Sequence, residues 1–207
     1  MEKNSTLVQT YFNEIVSNAH CELIYGDIFQ LLVAVILSAQ TSDVAVNKVT
    51  PILFSKYSNV HEMAKASQED VEAIIHSIGL YKNKAHNIIA ASQEIEQNYH
   101  GIVPNNMNDL MLLSGVGRKT ASVVLIEGFK IPAFPVDTHV KRVAIRLGLA
   151  PLNSDVFDVE KNLCDLYPRE SWGKLHHQFI FFGRYYCMAR NPKCLGCGLK
   201  SICTYKK

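Results

Sequence analysis

Apolar residues recur along nearly the whole chain at the three-to-four-residue spacing of a helix with one buried face. Leu7, Val8, Tyr11, Phe12, Ile15 and Val16 form one such stripe. The stretch "IFQLLVAVILSA", Ile28 to Ala39, is apolar all round and predicts a buried helix; it falls short of the ~20 residues needed to cross a bilayer. Ser42 caps a predicted helix running from Asp43 toward Tyr57. Ser67 with Asp70 reads as a capping box ahead of "VEAIIHSI", which Gly79 stops. A helix from about Lys82 to Tyr99 ends at "HGIVP", and a short helix, "NDLMLL", leads into a glycine turn. Downstream, "DTHVKRVAIRLGL" puts Val140, Val143, Ala144 and Leu147 on one face and Lys141, Arg142 and Arg146 largely off it. Ser154 to Leu166 and Glu170 to Ala189 supply two more amphipathic helices. No alternating run is long enough for a strand, so the fold class is all-α.

Composition narrows the picture little. With 207 residues, 48% hydrophobic and 19% charged, the chain is expected to be a compact globule of one large domain or two small ones. The start "MEKNSTLVQTYFNEIV" lacks both the basic opening and the apolar middle of a secretion signal, so a cytoplasmic protein is expected. Charge placement says more than the net +2. From Ser171 onward there is no Asp or Glu and seven Lys or Arg, leaving 14 basic against 19 acidic residues before it. A polyanion would find that end attractive, although a merely solubilising tail has the same composition.

The stretch "LSGVGRKTASVV", Leu113 to Val124, superficially matches a phosphate-binding loop. That motif needs glycine directly before Lys-Thr and a strand leading in; here Arg118 takes that place and a helix leads in. The order of short helix, turn and helix is instead that of a helix-hairpin-helix. Gly115 and Gly117 let backbone N–H groups approach a phosphate, and the following helix start adds its own, gripping a nucleic-acid backbone without reading sequence. Tight packing of two helices also needs small residues, so the turn alone is weak. Lys119 stands two residues beyond Gly117. Phosphate contact is its simplest role, because an ordinary lysine is almost wholly protonated at neutral pH; nucleophilic work requires burial or cationic neighbours such as Arg118.

In "IPAFPVDTHVKR", Asp137 arrives at a helix start, where capping is the plain role and general-base or charge-stabilising work the sharper one. Cys187, Cys194, Cys197 and Cys203 follow a C-x6-C-x2-C-x5-C spacing that points to a metal centre in a reducing compartment. Spacing alone leaves zinc and a 4Fe-4S cluster both open. Arg190 and Lys193, inside the first cysteine loop, are candidate phosphate contacts held outward. His176 and His177, neighbours on a helix, read as structural, as do Cys21 and Cys164.

Together these features resemble the endonuclease III family of helix-hairpin-helix DNA glycosylases, over nearly the whole chain. "LLVAVILSAQTSDVAVNK", "IGLYKNKAHNI" and "FGRYYC" are similar to further family segments. The resemblance implies two helical domains with a groove between them. Residues 21–133 would be a six-helix domain containing the hairpin, and 1–20 with 134–207 a discontinuous iron-sulfur domain. It implies a bifunctional glycosylase/AP lyase of base excision repair, in which Lys119 attacks C1′ and forms a Schiff base while Asp137 assists base loss. β-Elimination then nicks the strand 3′ to the abasic site. It further implies a structural 4Fe-4S cluster on the four cysteines. The implied partner is double-stranded DNA carrying oxidised or ring-saturated pyrimidines or abasic sites, bound by a monomer at the nucleoid of a bacterial-type cytoplasm, with no membrane. Gln40 and Leu80 match residues that fill the gap left by the flipped nucleotide, and His139 one near the lesion.

Two positions depart from the family pattern. Ser114 stands where many members have proline, which loosens the turn a little, and Phe182 where many have histidine, which touches only a local contact. Two other readings compete. The adenine-removing relatives share fold and cluster but generally lack the lysine and carry a further C-terminal domain, whereas this chain has Lys119 and ends shortly after Cys203. A non-catalytic DNA-binding iron-sulfur protein is the other.

Overall fold

The computed structural model describes residues 2–205; Lys206 and Lys207 of the basic segment lie outside the described residues. Among the described residues the chain forms helices and no strand. In order these are α1 (Glu2–Ile15), α2 (Ile28–Leu37), α3 (Asp43–Lys56), α4 (Val60–Ala64), α5 (Gln68–Ile75), α6 (Tyr81–Tyr99), α7 (Met107–Leu112), α8 (Arg118–Val124), α9 (Thr138–Arg146), α10 (Val156–Leu166) and α11 (Trp172–Tyr185). They divide into two compact units, Glu22–Ile131 and Met1–Cys21 with Pro132–Lys207.

In the unit Glu22–Ile131, α2 buries eight of its ten residues and packs against α3, α6 and α8. Asp27 caps its start by accepting from the Gln30 N–H. Ser42 caps α3 the same way through Ala45, and the helix runs on through Pro51. The start of α5 departs from the expected capping box. Ser67 does accept from the Asp70 N–H, but the Asp70 carboxylate turns to Lys56 Nζ at 3.0 Å and the Tyr57 hydroxyl at 3.4 Å. The helix also ends at Ile75, ahead of Gly79, on the right-handed cap His76. The short helix α4, capped by Asn59, has too few residues to register as a periodic stripe. After α8 the chain widens into a π-helical turn, Leu125–Phe129, where Gly128 lies so close to Ile28 and Leu31 that a Cβ would meet them at 3.2–3.3 Å.

The other unit is built on α1, α9, α10 and α11 around an aromatic centre. Phe12 sits edge-on to Phe179 and tilted against Phe182, both at 5.0 Å between ring centres. Val8, Val140, Val143 and Leu163 complete that core. His176 and His177 are buried, with rings edge-on at 4.9 Å; the His176 ring pairs with the Pro135 carbonyl at 2.8 Å. Although neighbours in sequence, the two rings thus meet, in a structural setting.

Truncating Phe12 to Ala should destabilise this unit by about 3–5 kcal/mol, read as a lower denaturant midpoint. Leu7→Ala, on the same helix but 39% exposed, should stay within about 0.5 kcal/mol of the parent. Equal effects would mean that the stripe does not face the core as described.

Candidate active site and cysteine cavity

The hairpin is short and sharply specified. Helix α7 ends at Leu112, Leu113 is extended (φ −75°, ψ 141°), and α8 starts at Arg118 with Gly117 as its N-cap. Gly115 has φ +76°, and a Cβ there would strike Asn87 Cβ at 2.8 Å, so conformation and packing both demand glycine. Gly117 is different: its φ is −90° and a Cβ would meet nothing. Only one of the two glycines is therefore required by a left-handed backbone. Val116 packs inward, and its N–H donates to the Leu113 carbonyl at 3.0 Å. The N–H groups of Gly115 and Gly117 donate to no partner among the described residues. Arg118 and Lys119 are both exposed at the first turn of α8, and no side chain caps that turn. Lys119 thus stands exposed beside Arg118 at a helix start.

Gln40 and Leu80 share an unexpected feature. Both are exposed and both are left-handed, with φ +54° and +58°. Sequence reasoning missed what joins them: Lys84, buried to 4% exposure, donates from Nζ to Thr41 Oγ1 at 2.6 Å, next to Gln40 and one turn past Leu80. Burial lowers the Lys84 pKa from the usual lysine range.

In the unit containing α9, Asp137 is the N-cap of that helix. Its Oδ1 accepts from the N–H groups of both His139 and Val140, each at 2.8 Å, which leaves Oδ2 outside the cap. His139 follows on the first turn, half-buried, its Nδ1 3.2 Å from Arg142 Nη2. Burial holds this ring below the usual histidine value, with Asp137 opposing and Arg142 adding to the effect. Gly183 of α11 lies against it, where a Cβ would meet His139 Cβ at 2.9 Å.

Cys187, Cys194, Cys197 and Cys203 form no disulfide and line one cavity of about 460 Å³, walled also by Leu147 and Phe182. Burial pushes the Cys197 thiol up, and Cys187, Cys203 and Cys194 all add to the shift, a mark of their mutual closeness. Among the described residues no three His, Cys, Asp or Glu side chains converge as they must to hold a single ion. Phe182 does more than make a local contact: it is buried, stacks on Tyr186 at 5.8 Å and walls this cavity. Two arginines missed as functional brace the loop. Arg146 donates to Cys187 Sγ at 3.4 Å, to the Met188 carbonyl at 2.9 Å and to that of Ala189 at 3.3 Å. Arg142 donates to the carbonyls of Gly183 and Cys187, at 2.8 and 3.2 Å. Their place off the apolar face of α9 was the available signal. Arg190 and Lys193 are exposed; Lys193 also lines the cavity and lies over the Tyr186 ring at 5.6 Å, so it is not simply held outward.

Residues 33–169 match the family described as the HhH-GPD superfamily base excision DNA repair protein. Endonuclease III of Bacillus subtilis (strain 168) is 46% identical over 92% of this chain and 87% of its own length. Endonuclease III of Escherichia coli (strain K12) is 42% identical over 90% and 88%. The structure of a trapped endonuclease III–DNA covalent intermediate superposes with a TM-score of 0.95 at 44% identity, over 99% of this chain and 96% of that one. A thermostable thymine-DNA glycosylase, at 24% identity and a TM-score of 0.84 over 97% and 94%, shares the fold. The chain belongs to the HhH-GPD superfamily and, within it, to the endonuclease III family.

The two roles open to Asp137 separate by substitution. Asp137→Ala should cost about 1 kcal/mol of stability through the lost cap, whereas Asp137→Asn, an equally good capping residue, should cost little. Thermal denaturation of both variants checks this; equal losses would mean that the cap oxygen is not what matters.

Proposed function

We propose that this chain removes damaged pyrimidines from double-stranded DNA as a base excision repair glycosylase with abasic-site lyase activity, Lys119 being its nucleophile. The glycosylase and lyase class follows from the family. The observation that carries the assignment of Lys119 is its exposed place on the first turn of α8, two residues beyond Gly117 and beside Arg118.

The reaction starts with an oxidised or ring-saturated pyrimidine nucleotide, or an abasic site, flipped out of the duplex at a cost of a few kcal/mol. The unprotonated Lys119 amine attacks C1′. As the C1′–N bond forms, the bond to the base breaks, and its electron pair leaves with the base, which takes up a proton; at an abasic site the C1′ hydroxyl leaves instead, as water. Asp137, through the oxygen its cap does not use, assists base loss by accepting the amine proton or by stabilising positive charge on the sugar. The sugar ring opens to an imine on Lys119. Loss of a C2′ proton then expels the 3′ phosphate, and the strand is nicked 3′ to the lesion.

Gly115, Gly117 and Arg118 hold phosphate through the hairpin, with Arg190 and Lys193 as further contacts. Gln40 and Leu80 fill the gap left by the flipped nucleotide, and His139 lies near the lesion. An exposed leucine in a left-handed backbone adds nothing to a core and costs about 1–3 kcal/mol, which supports a task outside the protein. The unit Glu22–Ile131 serves as the hairpin domain and the other as the iron-sulfur domain. The protein acts as a monomer in the cytoplasm, at the nucleoid; among the described residues no helix is long and apolar enough to cross a membrane.

Cys187, Cys194, Cys197 and Cys203 hold a 4Fe-4S cluster. Four thiols lining one cavity, three of them acting on Cys197, support that reading. When bound it supplies a rigid link among four thiolates and is not the reactive centre.

Borohydride trapping on duplex DNA containing an oxidised pyrimidine should give a covalent adduct with the parent protein and none with Lys119→Ala. Equal trapping by both would remove Lys119 from its role, and trapping by neither would favour a binding module. Protein made with ample iron should be yellow-brown and absorb near ~400 nm, from sulfur-to-iron charge transfer. A colourless, zinc-loaded preparation would overturn the cluster assignment.

A further inference from the structure

Ser114 occupies the turn just before Gly115, and its contacts are specific. Its N–H donates to Glu94 Oε2 at 2.7 Å and its hydroxyl to Glu94 Oε1 at 2.7 Å, so one carboxylate of α6 holds both donors of one residue. Two turns earlier on the same helix, Asn87 lies under Gly115. The turn is therefore pinned to α6 at two neighbouring points.

We propose that Ser114 and Glu94 form a positioning clamp that sets the geometry in which the hairpin presents the Gly115 and Gly117 N–H groups to a DNA phosphate. The inference rests on the reading of the hairpin as a phosphate site given above. Neither residue touches DNA in this scheme; both act through the backbone.

The backbone on either side supports a positioning role. Leu113 already has the extended conformation that a following proline imposes, so a ring at position 114, with its preset φ, meets a compatible neighbour. A proline there would remove the N–H and the hydroxyl together and leave Glu94 as an unsatisfied carboxylate beside an anion site. The clamp thus achieves with two charge-assisted hydrogen bonds what a ring achieves with covalent geometry.

The test is a double-mutant cycle with three readouts: affinity for a duplex carrying an uncleavable abasic analogue, single-turnover rate at saturating enzyme, and thermal midpoint. Glu94→Ala and Ser114→Pro should each weaken affinity about tenfold, the loss expected from one or two charged hydrogen bonds, with the saturated rate within about twofold of the parent. Glu94→Gln, which keeps size and one acceptor, should fall between. Ser114→Pro with Glu94→Ala should bind more tightly than Ser114→Pro alone, because the ring orders the turn and the orphaned charge is gone. A role in stability alone would move the midpoint and leave affinity of the folded protein unchanged. Unchanged affinity in the single variants, or a double variant no better than Ser114→Pro, overturns the clamp. Failure of the parent protein itself to bind the abasic duplex overturns the phosphate reading, and the clamp with it.

Discussion

The spacing of the hairpin turn and the two left-handed corners is set by one face of α6. Leu80, Lys84, Asn87 and Glu94 recur at the helical repeat, and each engages a different segment. Leu80 is the left-handed cap, Lys84 ties back to Thr41 beside Gln40, Asn87 lies under Gly115, and Glu94 grips Ser114. At 1.5 Å per residue the stripe from Leu80 to Glu94 is about 21 Å long. Ala85, Ile88, Ile89 and Ile95 bury the helix against its neighbours, so the stripe does not bend to suit a ligand. Sites on such an element hold their geometry better than sites carried by loops alone.

The cysteine loop solves a different problem. It has almost no regular structure of its own, with left-handed corners at Asn191 and Gly196, and the short turns between its cysteines cannot fix four sulfurs by themselves. Order comes from α9, whose Arg142 and Arg146 take up carbonyls at Gly183, Cys187, Met188 and Ala189. A guanidinium carries five donors in a rigid plane, so two of them one turn apart can hold a whole strand of loop backbone. Arg146 is itself held over the Tyr205 ring at 3.9 Å, beyond the last cysteine. The cavity walls are therefore fixed from both ends of the motif.

Much of this was legible in the sequence because it depends on local chemistry. Apolar stripes, the caps Ser42 and Asp137 and the glycine turn are properties of a few neighbouring residues. What escaped depends on partners far along the chain. Asp70 forgoes its capping box for Lys56, a competition that a local motif does not reveal. Ser114 reads as a mild loosening of the turn, whereas Glu94, twenty residues earlier, holds both of its donors. Periodicity puts Arg142 and Arg146 off the apolar face of α9 and reports nothing of what covers that other side. The cysteine spacing points to a metal centre; that the four thiols line one cavity is three-dimensional information.

Asp137 carries the sharpest conflict of demands. A carboxylate that caps a helix is held by N–H donors at the helix start. An oxygen engaged by two N–H groups has little left to offer another partner. Dividing the work between the two oxygens eases the conflict, since both cap bonds fall on Oδ1. The cap orients the carboxylate and leaves Oδ2 outside it, the oxygen to which the proposed mechanism gives the assisting role. On this view the helix start is part of the chemistry, because a carboxylate without the cap would rotate and a fully hydrogen-bonded one would have nothing left to offer a reacting sugar.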